Sequence, residues 1–187
     1  HNRVDDTPYG GGKGMLMMAP PIGRCYQAIL REQDAEGLQE LRRRVVYLSP
    51  AGRVLNQTVA EGFARDYNNL ILLCGHYEGV DQRIVDEIVD EEISIGDFVL
   101  TGGELPACIL TDCVARLVPG VLADPECYEK ESISSGMLEY PQYTRPYDYH
   151  GVKVPDVLIS GHHGNIDRWR EEQAEARTRE RRPDLLK

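Results

Sequence analysis

The sequence lacks any apolar run approaching the roughly 18 consecutive residues that a membrane helix needs; its longest apolar stretches are short, as at residues 70–74. A membrane partner is therefore not expected, and the chain reads as soluble. It also lacks paired cysteines. The five present, Cys25, Cys74, Cys108, Cys113 and Cys127, are odd in number and without CxxC spacing, which fits neither a disulfide framework nor a thiolate metal site and makes a reducing cytoplasm the expected compartment. His76, His150, His162 and His163 have no metal-ligand spacing with cysteine, so a zinc site is not expected. There is no GxSxG nucleophile elbow, internal repeat, low-complexity segment or signal-peptide apolar region. The opening His1-Asn2-Arg3-Val4 carries no methionine and reads as a chain trimmed at the front.

What is present suits one domain, or one domain plus a small appendage: 187 residues, 41% of them hydrophobic, enough to bury a core. The formal net charge of −10 argues at first against a nucleic-acid partner, since phosphate binding draws on Lys and Arg. The excess is local, however. Residues 76–104 hold Glu78, Asp81, Asp86, Glu87, Asp90, Glu91, Glu92, Asp97 and Glu104 against Arg83 alone. Basic residues gather instead at Arg42-Arg43-Arg44 and from Arg168 onward, so RNA stays open as a partner.

Along the chain, Tyr9-Gly10-Gly11-Gly12-Lys13-Gly14 forms a glycine-rich loop that either cradles phosphate or simply turns, since its spacing matches neither the Walker motif nor GxGxxG. Residues 23–43 read as helix with a break near Gly37. Val45-Val46-Tyr47-Leu48 reads as a buried strand ended by the turn Ser49-Pro50-Ala51-Gly52. Asn56 is suited to cap a helix carrying Val59, Phe63 and Tyr67 on one face. A second strand over 70–74, a helix over 80–89, a third strand over 92–95 and a helix from Glu104 to about Val118 follow. Strand and helix alternating in this way predict an α/β fold, a parallel sheet with helices on both faces. Ligands of such sheets sit outside the carboxyl ends of the strands, which points to loops 49–52, 75–79 and 96–103. Beyond Val121 the periodicity fades into a proline- and tyrosine-bearing stretch; residues 157–160 read as a short strand and 164–182 as a polar helix.

Several residues leave two readings open. Gly75, Gly79, Gly96, Gly102 and Gly103 are either turn glycines or the floor of a cofactor pocket that a planar ligand approaches closely. The acidic segment is either a solvated helix face or a site for a hard cation, Glu78 standing apart within its glycine loop. Arg116, late in an apolar helix, either caps the last carbonyls or presents a fixed fork to an anion. The basic residues of the last helix are either solvated or a phosphate-binding surface.

Read together, Arg3-Val4-Asp5-Asp6 with Pro8-Tyr9-Gly10-Gly11-Gly12, Leu48-Ser49-Pro50, Cys74-Gly75-His76-Tyr77-Glu78-Gly79-Val80-Asp81, Ser94-Ile95-Gly96-Asp97-Phe98-Val99-Leu100-Thr101-Gly102-Gly103-Glu104-Leu105-Pro106, Tyr143-Thr144-Arg145-Pro146 and Ser160-Gly161-His162-His163 resemble the bacterial tRNA (guanine-N1)-methyltransferase family, TrmD. The resemblance spans nearly the whole chain, without the family's first strand and a C-terminal tail. It implies a SPOUT-class sheet containing a deep trefoil knot, an exception to the rule against threaded loops. It further implies a small, mostly helical C-terminal domain. The domains would be a knotted methyltransferase domain over 1–121, an inter-domain linker or lid over 122–156 and a tRNA-binding helical domain over 157–187.

The same resemblance implies homodimers that bind S-adenosylmethionine, bent, through Leu48, Ser49, Pro50, Gly75, Tyr77, Glu78, Gly79, Ile95, Gly96, Asp97, Phe98, Val99, Leu100, Gly102, Gly103 and Pro106. The implied reaction is methyl transfer to N1 of the guanine just 3′ of the tRNA anticodon, when another guanine precedes it. N1 carries a proton, so a general base removes it while charge develops toward O6. Arg116 matches the arginine that stabilises that charge. The family's base is the aspartate of an Asp-Ser pair in the linker, donated across the dimer; the matching pair here is Glu131-Ser132, and Glu129 is the neighbour able to substitute. Glutamate keeps the carboxylate on an arm one methylene longer. Magnesium dependence is also implied, with Glu78 the carboxylate beside it. The residues leave two other classes to be discriminated: an RNA-binding module without catalysis, and a metal-dependent phosphoester hydrolase using the acidic segment.

Overall fold

A computed structural model describes residues 3–38, 41–122 and 131–186; Glu129 and Cys127 lie outside the described residues. The chain forms two compact units, His1–Val121 and Leu122–Lys187.

The first unit is built on a three-stranded parallel sheet. β1 (Asp5–Asp6) and β2 (Leu16–Met17) pair as an antiparallel hairpin, α1 spans Ala19–Ala35, and β3 (Arg43–Val54) is the central strand, flanked by β4 (Asn69–Cys74) and β5 (Glu91–Ser94). Between them run α2 (Gln57–Asp66) and α3 (Gln82–Ile88), and α4 (Glu104–Ala115) follows β5. A central parallel strand is covered on both faces and so reads as an apolar run. Val46 and Leu48 of β3 join Ile93, the α2 residues Val59, Ala60 and Phe63 and the α4 residues Leu110 and Val114 in one core. On the other face Tyr47 packs with Val80, Ile84, Val85 and Ile22 beneath α1 and α3. The expected α/β sheet with helices on both faces is present.

Local sequence accounts for the element ends. Asn56 caps α2, its side chain accepting from the Val59 amide at 3.0 Å. Asp81 caps α3 by accepting from the Arg83 amide at 3.0 Å. Pro20 and Pro21 occupy the first turn of α1, where a missing N–H costs nothing. That helix therefore begins earlier than expected and ends at Ala35, and Arg43 and Arg44 open β3 instead of closing a helix.

The turn expected at 49–52 does not end its strand. Leu48 and Arg53 are both in register with Ile93, so residues 49–52 are looped out of β3 and pairing with β5 then resumes. Gly52 permits this, because a Cβ there would lie among backbone atoms of Glu92 and Ile93. Glu91 holds both limbs of the excursion: its carboxylate pairs with Arg53 beyond the loop and with Arg44 before it at 3.4 Å.

The second unit contains the hairpin β6 (Asp148–Tyr149) and β7 (Val152–Lys153), α5 (Asp156–Ile159), α6 (His163–Arg181) and a 3₁₀ turn, Pro183–Leu186. The strand expected over 157–160 is the short helix α5. Three apolar residues, Val157 to Ile159, fit either state by pattern alone, and Asp156 after Pro155 supplies a helix start. Ile166, Ala174 and Thr178 bury one face of α6. Tyr140 lies under the Arg170 guanidinium, 5.0 Å from its centroid, and Tyr143 meets Trp169 at 6.4 Å. Thr178 is fully buried; its hydroxyl donates to the Ala174 carbonyl at 2.7 Å and accepts from the Leu138 amide at 2.9 Å. Thr178→Val keeps the shape but orphans the Leu138 N–H, so unfolding in urea should show a loss of about 1–3 kcal/mol, and Thr178→Ser a smaller one.

Candidate functional site

Parallel strands that turn at the same edge bring their loops together. Here the excursion of β3, the loop after β4 and the loop after β5 enclose a cavity of about 420 Å³ lined by residues 47–51, 75–79, 93–96 and 98–103 and by Pro106 of α4. That volume falls among small-molecule sites, roughly 300–1,000 Å³. Gly75, Gly79, Gly96, Gly102 and Gly103 are among the lining residues, and at these positions no side chain stands between the main chain and a ligand.

Close backbone packing fixes the wall. The Gly103 amide donates to the Gly75 carbonyl at 2.9 Å, His76 and Gly102 form a β-bridge, and a Cβ at Gly103 would stand 2.8 Å from Cys74 Cα. Ser94 Oγ donates to the Gly96 carbonyl and accepts from its amide, both at 3.2 Å, which folds the third loop inward. Tyr77 holds a left-handed backbone, φ +58°, that is uncommon for a residue with a side chain. The β1–β2 hairpin supports the second loop from outside: the Met17 amide donates to the Gly79 carbonyl at 2.9 Å and the Glu78 amide to the Met15 carbonyl at 3.0 Å. Gly14 accommodates the Glu78 side chain, which would touch a Cβ there at 2.5 Å. The glycine-rich segment is thus the tip of a hairpin braced on the cavity loop.

Electrostatics follow from the same neighbours. Burial, with Glu92 nearby, raises the Tyr47 phenol above its usual range. Burial, then the Glu104 carboxylate and Cys108, raise the Cys74 thiol. The hydrogen bond from His76 lowers the Glu104 carboxyl. The Arg83 side chain, through its hydrogen bonds, brings Asp81 down to about 2.

Of the residues expected around the cofactor, all but Asp97 line this cavity; Asp97 does not. Ala51, His76 and Thr101, within the expected loops, line it as well, and so do Tyr47, Ile93 and Ser94, which lie outside those loops. Tyr47 had a readable signal, since it alternates with Val46 and Leu48 and so points to the opposite face. Arg116 lies at the C-cap of α4, half-buried and outside the cavity wall. Glu131 belongs to the second unit, where its carbonyl accepts from the Ser135 amide at 3.3 Å and hydroxyl at 3.2 Å, while Ser132 Oγ accepts from the Glu139 amide at 2.9 Å.

The acidic segment is largely committed to structure: Asp90 accepts from the Val45 amide at 2.7 Å, Asp86 from Gln82 at 2.7 Å, and Glu91 clasps β3. Among the described residues no group of three or more His, Cys, Asp or Glu side chains is placed to hold a metal ion. Glu78 is the one carboxylate among the residues lining the cavity, so the described residues build neither a magnesium site by themselves nor a metal centre for the hydrolase alternative. Among the described residues no helix is long and apolar enough to cross a membrane.

An α/β unit with a glycine-walled cavity at the carboxyl edge of a parallel sheet defines a small-molecule-binding site of the kind cofactor-dependent transferases use. The family model for "tRNA (Guanine-1)-methyltransferase TrmD" matches residues 1–187, and the chain belongs to that family. It is 57% identical over 186 residues to a tRNA (guanine-N(1)-)-methyltransferase of Ruminiclostridium cellulolyticum, covering 100% of this chain and 77% of the relative. Proteins of the same name from Alkaliphilus oremlandii, 56% identical with 100% and 74% covered, and Clostridioides difficile, 51% identical with 100% and 78% covered, are similar too.

Proposed function

We propose that this chain methylates N1 of guanine in tRNA, at the position immediately 3′ of the anticodon, with S-adenosylmethionine as donor. The observation that carries the reading is the strand-end cavity, whose glycine-lined wall fits a ligand approached through main-chain groups, in a chain of this family. The cofactor-binding residues are then those of loops 47–51, 75–79 and 93–103. When bound, S-adenosylmethionine supplies the electrophilic methyl group; the chain's part is to orient it and to handle the proton on guanine N1.

Glu131 takes that proton and Arg116 faces the charge that develops toward O6. A trefoil knot in the first unit goes with membership of this family. The tRNA-binding part is the C-terminal end of the second unit, with the arginines of α6 among the residues that would meet phosphate, although α6 carries as many carboxylates as arginines. A homodimer is supported by α4, which is apolar on nearly every side while Leu105 and Ile109 stand 65% and 45% exposed; a helix apolar all round is ordinarily covered.

The test is transfer of labelled methyl from S-adenosylmethionine to an anticodon stem-loop transcript bearing two successive guanines at that position. Label should enter this transcript and not one with adenine at the target position. Absence of transfer with the folded chain, at saturating cofactor, overturns the reading.

A further inference from the structure

Glu104 has no part in the roles assigned above and His76 only the general one of a second-loop residue, yet together they join two walls of the cavity. His76 follows β4 in the second loop, and Glu104 is the first residue of α4, directly after the third loop. Its Oε1 is paired with His76 Nε2. His76 is among the residues lining the cavity, whereas Glu104 is not. Glu104 also stands in the first turn of α4, where a carboxylate is favoured by the helix dipole.

Beneath the pair lies Gly102. A Cβ at that position would overlap Glu104 Oε2 and stand 2.7 Å from His76 Cε1, so the two side chains close directly over the end of the third loop. The same junction is tied in the main chain by the His76–Gly102 bridge and by the Gly103 amide donating to the Gly75 carbonyl. On its other side the second loop is held from β2, the His76 amide donating to Met17 Sδ at 3.2 Å. Separation of the third loop from the second therefore has to break the side-chain pair as well as these main-chain ties.

We propose that the His76–Glu104 pair is a positioning clasp that keeps the second and third loops closed on the cofactor, Glu104 acting through His76. The inference rests on the cavity being the S-adenosylmethionine site. A clasp of this kind contributes to cofactor affinity and leaves the transfer step alone.

Glu104→Ala is the deciding variant, since Glu104 itself does not line the cavity. Calorimetry with S-adenosylmethionine on the full chain should give a Kd raised about 2- to 5-fold, the range an exposed pair supports. The KM for the cofactor should rise in step, with kcat unchanged. Glu104→Gln, whose amide oxygen still accepts from His76 Nε2, should restore the wild-type Kd, and His76→Ala should match or exceed the Glu104→Ala effect. An unchanged Kd in Glu104→Ala, or a fall in kcat with KM unchanged, overturns the clasp. If Glu104→Ala does not fold, His76→Asn and Glu104→Gln carry the comparison: affinity lost in the first and kept in the second supports the clasp, and equal affinity in both overturns it. Wild-type chain that binds no S-adenosylmethionine strikes the cofactor reading itself, an outcome distinct from wild-type binding with variants that bind equally well.

Discussion

Replacing Gly52 by alanine should raise the Kd for S-adenosylmethionine by about 5- to 100-fold, the range that about 1–3 kcal/mol spans. The added methyl has no free space: its carbon would fall on the Glu92 carbonyl carbon and the Ile93 nitrogen and 2.5 Å from the Glu92 oxygen. These are main-chain atoms of β5, so no rotamer change relieves the overlap, and either β5 or the looped-out residues must move. Ile93 and Ser94 of β5 and Ser49 to Ala51 of the excursion all line the cavity, so both routes deform its wall. Overpacking of this sort costs typically about 1–3 kcal/mol, and each 1.4 kcal/mol taken from binding is a factor of about ten. Gly62→Ala is the control. It sits inside α2 with nothing within 4 Å of its Cβ position, so helix propensity should stabilise it by up to about 1 kcal/mol with binding unchanged. Calorimetry on both variants, with circular dichroism for folding, decides the matter; a Gly52→Ala chain that binds as tightly as wild type removes the steric argument.

The strand-helix alternation was legible because period-two and helical apolar patterns come with their own stop signals: Asn56 before α2, the glycines of 75–79 after β4, Pro106 just inside α4. From that alternation the position of the cavity followed, since parallel strands place their loops at one edge. The excursion at 49–52 was not legible, because Ser-Pro-Ala-Gly has the composition of a terminating turn and only pairing with β5, far along the chain, shows that the strand resumes at Arg53. The start of α1 was hidden by Pro20 and Pro21, which read as breakers unless the first turn of a helix is considered. At 157–160 the apolar run was too short for its period to discriminate helix from strand. The pairing of His76 with Glu104 was not legible because the two lie 28 residues apart, a distance that no local pattern spans. Net charge misled in the other direction: the carboxylates of 86–92 that dominate it serve β3 and α3, and say little about what the protein binds.

Glu131→Ala should abolish methyl transfer, by about 10²- to 10⁴-fold, the range that a positioned general base contributes, while S-adenosylmethionine affinity stays at the wild-type value. The cofactor loops and Glu131 belong to different units, so removal of this carboxylate leaves the cavity wall intact. Guanine N1 is a poor nucleophile while protonated, and the negative charge left by its proton is shared with O6. A base and a fixed cation are both required, and Arg116, with its planar fork, suits the second task better than lysine would. Arg116→Ala should therefore lower kcat comparably, and Arg116→Lys should recover only part of it. Glu131→Asp separates geometry from charge: it keeps a carboxylate but withdraws it by one methylene. If the longer arm of Glu131 is matched to its surroundings, Glu131→Asp loses activity, whereas if only the charge matters it retains it. Glu129→Ala, beside it in sequence, should transfer methyl at the wild-type rate. Single-turnover transfer to the two-guanine anticodon stem-loop measures all of these. Full activity in Glu131→Ala would reassign the base, and full activity in Arg116→Ala would leave the O6 charge to another donor.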